Sequence, residues 1–140
     1  MTQTQTKSTF REDCKLFTQF IPRGEAAAIA EGLQGEETDY FAALITDYAE
    51  RIRTAPRTYD QDGLGQAAIV HFHYFRGSQD WYITELDSDP EQHQAFGLAN
   101  LFRDGGELGY ISIPELVRAG VELDLHWTPK PLSACKVAGR

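Results

Sequence analysis

The apolar residues of this chain change their spacing once, near Pro56, and that change constrains the fold more than any other feature. Before it the spacing is helical. Phe41, Leu44, Ile45, Tyr48 and Ile52 recur at i, i+3, i+4, i+7 and i+11, one stripe along a helix expected over about residues 36–53. Glu36, Glu37 and Asp39 crowd its positive end and Arg51 and Arg53 its negative end, as the helix dipole favours. An earlier helix opens at Ile21-Pro22-Arg23-Gly24-Glu25, carries Ala26, Ile29, Ala30 and Leu33 at the same spacing, and stops at Gly35. The short connection predicts an antiparallel helix pair within residues 10–55.

After Pro56 the pattern is that of strands. Tyr59 to Gly65 is a turn-rich linker. Ala68 to Phe75 is β-branched and aromatic, Arg76-Gly77-Ser78-Gln79 turns, and Asp80 to Leu86 returns, which predicts a hairpin. Asp87 to His93 is a polar loop, followed by a strand over Ala95 to Phe102, a turn at Arg103-Asp104-Gly105-Gly106 and a strand over Leu108 to Ile111. Ser112 and Glu115 have capping-box spacing, so Pro114 to Ala119 reads as a short helix closed by Gly120. Glu122 to Trp127 makes a last strand, and Pro129 and Pro131 end regular structure. The predicted class is α+β: an N-terminal antiparallel helix pair packed with a mainly antiparallel sheet of about five strands, with one short helix before the last strand. The 140 residues suit a single domain with a flexible tail over 1–9, a helical part over 10–55 and a sheet part over 66–133.

Charge narrows the function. Thirteen Lys and Arg stand against twenty-one Asp and Glu, a net charge of −8, the wrong balance for direct nucleic-acid binding. Between Gly77 and Phe102 there is no Lys or Arg, while Asp80, Glu85, Asp87, Asp89 and Glu91 fall there. One reading is a solvated acidic loop that aids solubility. The other is a negative surface for a basic protein partner, with Asp80, Trp81, Tyr82, Glu85, Asp87, Asp89 and Glu91 as the binding residues and the aromatic rings as anchors. No run of eighteen apolar residues and no signal-like start occur, so the expectation is a cytoplasmic protein without a membrane partner. Cys14 and Cys135, far apart and outside any CxxC spacing, read as free thiols.

Chemistry-bearing motifs are few. His71 and His73 lie two apart on the first expected strand and so share a face, and His126 beside Asp124 on the last strand would complete a three-histidine metal set. Glu85 lies among Trp81, Tyr82 and Thr84, where burial would suit it to proton transfer. Asp87-Ser88-Asp89-Pro90-Glu91 resembles the start of a calcium loop, but Gln92 and Leu98 stand where glycine and glutamate are needed. Neither a phosphate-binding glycine loop nor a GxSxG elbow is present, and Ser133 to Lys136 matches SxxK without its companion motifs. No cofactor is expected.

Four segments carry a family resemblance. They are Trp81-Tyr82-Ile83-Thr84-Glu85-Leu86-Asp87, Phe96-Gly97-Leu98, Glu107 to Leu116 (ELGYISIPEL) and Asp124 to Leu132 (DLHWTPKPL). Together they resemble an uncharacterised domain family of small proteins carried by conjugative plasmids and integrative elements, over about residues 56–133. The resemblance implies a setting and no activity. Small acidic accessory proteins of mobile elements act by binding, for instance by blocking a nucleic-acid-binding host defence complex. In that family His71 and His126 stand at positions of aliphatic or aromatic residues, which weighs against the metal set. Three functions follow: a non-enzymatic accessory protein that binds a protein partner through an acidic surface, a small metal-dependent enzyme using His71, His73 and His126, or a structural subunit.

Overall fold

The computed structural model describes residues 9–89 and 92–135, so residues 1–8 of the tail expected over 1–9 lie outside it. Thr9 already belongs to the fold. Its hydroxyl accepts the Glu12 N–H at 3.1 Å while Glu12 accepts the Thr9 N–H at 2.9 Å, a reciprocal cap that opens helix α1 (Phe10–Phe17). Helix α2 (Arg23–Leu33) follows Pro22, which sits at the cap position, and helix α3 (Thr38–Thr54) carries the expected stripe, with Ile45, Tyr48 and Ile52 buried. The expected pair is therefore a group of three. Arg53 near the end of α3 binds the buried Asp13 of α1 at 2.7 Å, and Gly32 of α2 lies so close to the Phe41 ring that any side chain there would strike it.

The second half contains strands β1 (Ile69–Val70), β2 (Phe72–Arg76), β3 (Gln79–Glu85), β4 (Gln94–Asn100) and β5 (Glu107–Ser112), helix α4 (Ile113–Arg118), strands β6 (Glu122–Leu123) and β7 (Lys130–Pro131), and helix α5 (Leu132–Cys135). Five strands form one antiparallel sheet, as the sequence predicts, and their order is β5-β4-β3-β2-β6. Ser112 accepts the Glu115 N–H and starts α4 where the capping spacing placed it. Two elements differ. The expected strand over Ala68–Phe75 breaks at His71, because side chains take the backbone carbonyls there: the Trp127 indole binds Val70 O at 2.9 Å and Arg51 approaches His71 O at 3.4 Å. The freed β1 pairs with β7, so the chain past Pro129 remains ordered as β7 and α5. The expected Glu122–Trp127 strand shortens to two residues because the Asp124 carboxylate accepts the His126 N–H at 3.0 Å and turns the chain.

Both faces of the sheet are covered. On one, Phe72, Tyr74, Ile83 and Leu123 pack against Phe17, Phe20, Ile45 and Tyr48 of the helical part. Each such side chain contributes roughly 1.5–3 kcal/mol by leaving water. Two hydroxyls tie the layers: Tyr74 donates to Phe20 O at 2.6 Å and Tyr48 to Asp124 O at 2.7 Å. On the other face Val70, Tyr82 and Leu98 form a smaller core with Leu132 and Cys135, roofed by Trp127. Among the described residues no helix is long and apolar enough to cross a membrane.

The β3–β4 pairing contains a bulge. Ile83 faces Gly97, but Glu85 rather than Thr84 is the partner of Phe96. The extra residue turns Glu85 away from the helix-covered face, where strict alternation would have placed it. Gly97 makes the bulge possible, because a Cβ at that position would fall onto the Tyr82 carbonyl oxygen of β3. Gly97→Ala should therefore cost about 2–3 kcal/mol. Gly109→Ala, at the paired position on β5 with open space around it, should leave stability within about 0.5 kcal/mol. Urea titrations of the two variants test the contrast.

Glu25 of α2 reaches the outer edge of the sheet and accepts the Leu123 N–H of β6 at 2.9 Å. Burial, with help from the charges of Glu122 and Asp124, raises its pKa from the ordinary 4.5 to about 7. The folded state thus holds this proton more tightly than the unfolded chain. The resulting stability is present below pH 4.5 and is lost as pH rises to about 7. Glu25→Gln keeps an acceptor for Leu123 without the charge. After allowance for partial solvent screening it should add about 1 kcal/mol, or some 2–4 °C in Tm, at pH 8, and flatten the decline between pH 5 and 7. Thermal melts across that range give the answer.

Candidate functional site

The bulge delivers Glu85 to a cavity of about 330 Å³ on the second face of the sheet. Thr84, Phe96 and Leu108 form its floor, Ala68 and Leu132 one wall, and the loop from Thr58 to Gly65 its roof. Glu85 is 5% exposed. Its Oε1 accepts the backbone N–H of Tyr59 at 2.8 Å, while Oε2 has no hydrogen-bond partner among the described residues. A second acidic residue, Asp62, lines the same space, and among the described residues no Lys or Arg does.

The roof is held by its own chemistry. Tyr59 has a left-handed backbone, φ 77°, rare for a bulky residue and a mark of a position fixed by its surroundings. Three interactions fix it: Glu85 takes its N–H, Asp60 accepts the Arg57 N–H at 2.7 Å, and Leu86 donates its N–H to Pro56 O at 2.9 Å. Gln61 braces the loop from beneath. Its amide donates to Ile69 O and Thr84 O, both at 2.8 Å, and accepts the Ile69 N–H at 2.7 Å, so every part of that buried side chain is used. The Tyr59 ring is 70% exposed and its hydroxyl meets that of Tyr110 at 3.1 Å. That hydrogen bond is the main reason the Tyr110 pKa is raised, with the charges of Asp87 and Glu85 adding to it. Tyr110 in turn packs edge-on against Phe96, with centroids 5.6 Å apart. The result is a carboxylate with one oxygen held by the loop, in a recess that Tyr59 and Phe96 line.

The other expected binding residues are dispersed. Asp80 and Tyr82 are inside the protein, which corrects their expected place on an acidic surface: both are needed around His73. His73 Nε2 lies 2.7 Å from Asp80 and Nδ1 3.0 Å from Asp124, and its ring stacks on Tyr82 at 4.9 Å and 10°. Trp81 is half-buried and turned to the helix-covered core. Asp87 is half-buried and accepts the N–H groups of Asp89 and Gln94, which shapes its loop, while Asp89 is exposed. Glu91 lies outside the described residues. Among the described residues the expected carboxylates are thus spread between core, loop and cavity, and Glu85 and Asp87 share one neighbour, Tyr110.

The three histidines are likewise apart in role. The break at His71 removes it from the strand of His73, both nitrogens of His73 face carboxylates, and His126 sits exposed on the Asp124 turn. Burial, then the charge of Arg51, lowers the pKa of His71. Among the described residues no group of three His, Cys, Asp or Glu has an arrangement suited to a metal ion. Both cysteines are free, and burial pushes the Cys135 thiol up to about 11, which makes it a poor nucleophile at neutral pH. The sequence reading had no means of finding Gln61, Phe96 or Leu108 as neighbours of Glu85, since a loop and three separated strands bring them together.

No curated protein and no solved structure matches the chain. One family model does, described as a protein of unknown function (DUF2958), over residues 41–134. That span includes all but the first three residues of α3, the whole sheet and every residue lining the Glu85 cavity. The chain belongs to the DUF2958 family.

Proposed function

We propose that this chain is a non-enzymatic binding protein that receives a positively charged group of a protein partner in the Glu85 cavity. One observation carries the reading: Glu85 lines the cavity with one carboxylate oxygen held by the Tyr59 N–H and the other, which is not among the buried unsatisfied atoms, left open to the cavity. An oxygen that meets only cavity solvent is free to take a donor from outside, and a charge-assisted hydrogen bond from an entering cation is stronger than one from water. Aromatic walls suit the same ligand, since the rings of Tyr59 and Phe96 attract cations and shed water easily. The groups beside Glu85 are Asp62 and the hydroxyls of Thr58 and Thr84, a set that holds a ligand rather than a base paired with a nucleophile.

The net charge of −8 supports a basic partner through long-range steering. Nucleic-acid-binding proteins present arginine and lysine in clusters and so form the natural partner class. The mobile-element setting implied by the family resemblance would make that partner a host defence nucleoprotein complex, which the chain would inhibit by occupying its phosphate-contacting cations.

Glu85→Gln keeps the side chain's shape and the acceptor for Tyr59 while removing the charge. Affinity capture from a lysate of the source cells should retain a basic protein on the wild-type chain at low salt. That retention should fall at least about tenfold with the glutamine variant and again at high salt. Equal retention by both chains would contradict the proposal.

A further inference from the structure

The two ends of the sheet are finished in different ways. At one end β6 has only two residues, and the Glu25 side chain accepts the Leu123 N–H, so a helix has closed that edge. At the other end β5 runs for six residues in unbroken register with β4, and among the described residues nothing pairs with its outer side. It holds no lysine, no proline and no bulge, the devices by which edge strands usually repel additional strands. Leu108 and Tyr110 project from it half-exposed, and Phe102, 80% exposed, stands at the turn that leads into it. A second cavity of about 240 Å³ lies along this strand, bounded by Leu101, Phe102 and Asp104.

Charge decides what fits such an edge. From Gly77 to Val117 the chain has eight Asp and Glu and a single basic residue, Arg103. Asp104 and Glu107 flank the start of β5, and Asp87 and Glu85 act on Tyr110. A second copy of this acidic chain would bring like charges edge to edge, whereas an extended segment bearing lysine or arginine brings opposite ones. We infer that β5 is the docking edge for an extended basic segment of another protein, added as a further antiparallel or parallel strand. This inference rests on the proposed binding role and specifies how the partner is held. Backbone hydrogen bonds to β5 supply affinity, and alternate side chains of the segment project over Leu108 and Tyr110 toward the Glu85 cavity.

The test uses the full chain, labelled with ¹⁵N, and end-blocked hexapeptides alternating lysine with valine. Amide hydrogen exchange over Glu107–Ser112 should slow at least tenfold when the peptide is added. A peptide N-methylated at alternate positions and one with glutamate in place of lysine should leave exchange unchanged. No effect at β5, an equal effect from all three peptides, or light scattering that shows a dimer with β5 already protected would overturn the inference. The two proposals fail separately. Glu85-dependent capture with β5 untouched by the lysine peptide leaves the cavity reading standing and removes strand addition. Protection of β5 without Glu85-dependent capture removes the cavity reading and leaves the edge.

Discussion

One extra residue in β3 decides where the chain's most consequential charge lies. With regular alternation Glu85 would point into the core that contains Phe17, Tyr48 and Ile83, a place no lone carboxylate tolerates. The bulge sends it to the opposite face, where the Tyr59 N–H meets it and a cavity lies beyond. Much else follows from that placement. The roof loop takes its left-handed turn at Tyr59 over this carboxylate, Gln61 locks the loop to β1 and β3, and Gly97 yields the space that the distorted backbone of β3 occupies.

The two faces of the sheet serve different ends. The helix-covered face is large, aromatic and tied by buried hydroxyls from Tyr48 and Tyr74, and it supplies most of the hydrophobic stabilisation. The other face is split between a small core under Trp127, with the His73–Asp80–Asp124 network beside it, and the open recess of Glu85. A buried imidazole between two carboxylates is a structural device here: it satisfies Asp80 where β2 and β3 meet and anchors the Asp124 turn. Acidic residues close together in sequence thus do unlike work, Asp80 in the core, Asp87 shaping a loop and Glu85 facing a cavity.

Most of the fold was legible because period and capping are local. The α3 stripe, the β2–β3 hairpin, the Ser112 cap and the α+β class need no long-range knowledge. The break at His71 was not legible, since it depends on Trp127 reaching a carbonyl 57 residues back and Arg51 one 20 residues ahead. The bulge did leave a trace. Trp81 and Ile83 alternate toward the core and Leu86 returns to it one residue late, the offset that an inserted residue produces. The charge run could not tell a buried aspartate from an exposed one, because burial is set by strand face and pairing rather than by composition.

The central claim is that Glu85 accepts a cation at its cavity-facing oxygen, beside Tyr59 and Phe96. The most direct measurement is a crystal structure of the chain grown with methylguanidinium. The account expects an ordered guanidinium plane against Glu85 Oε2, flanked by Tyr59 and Phe96. A recess without the cation, with Glu85 Oε2 bound to a donor from the protein itself, would contradict it.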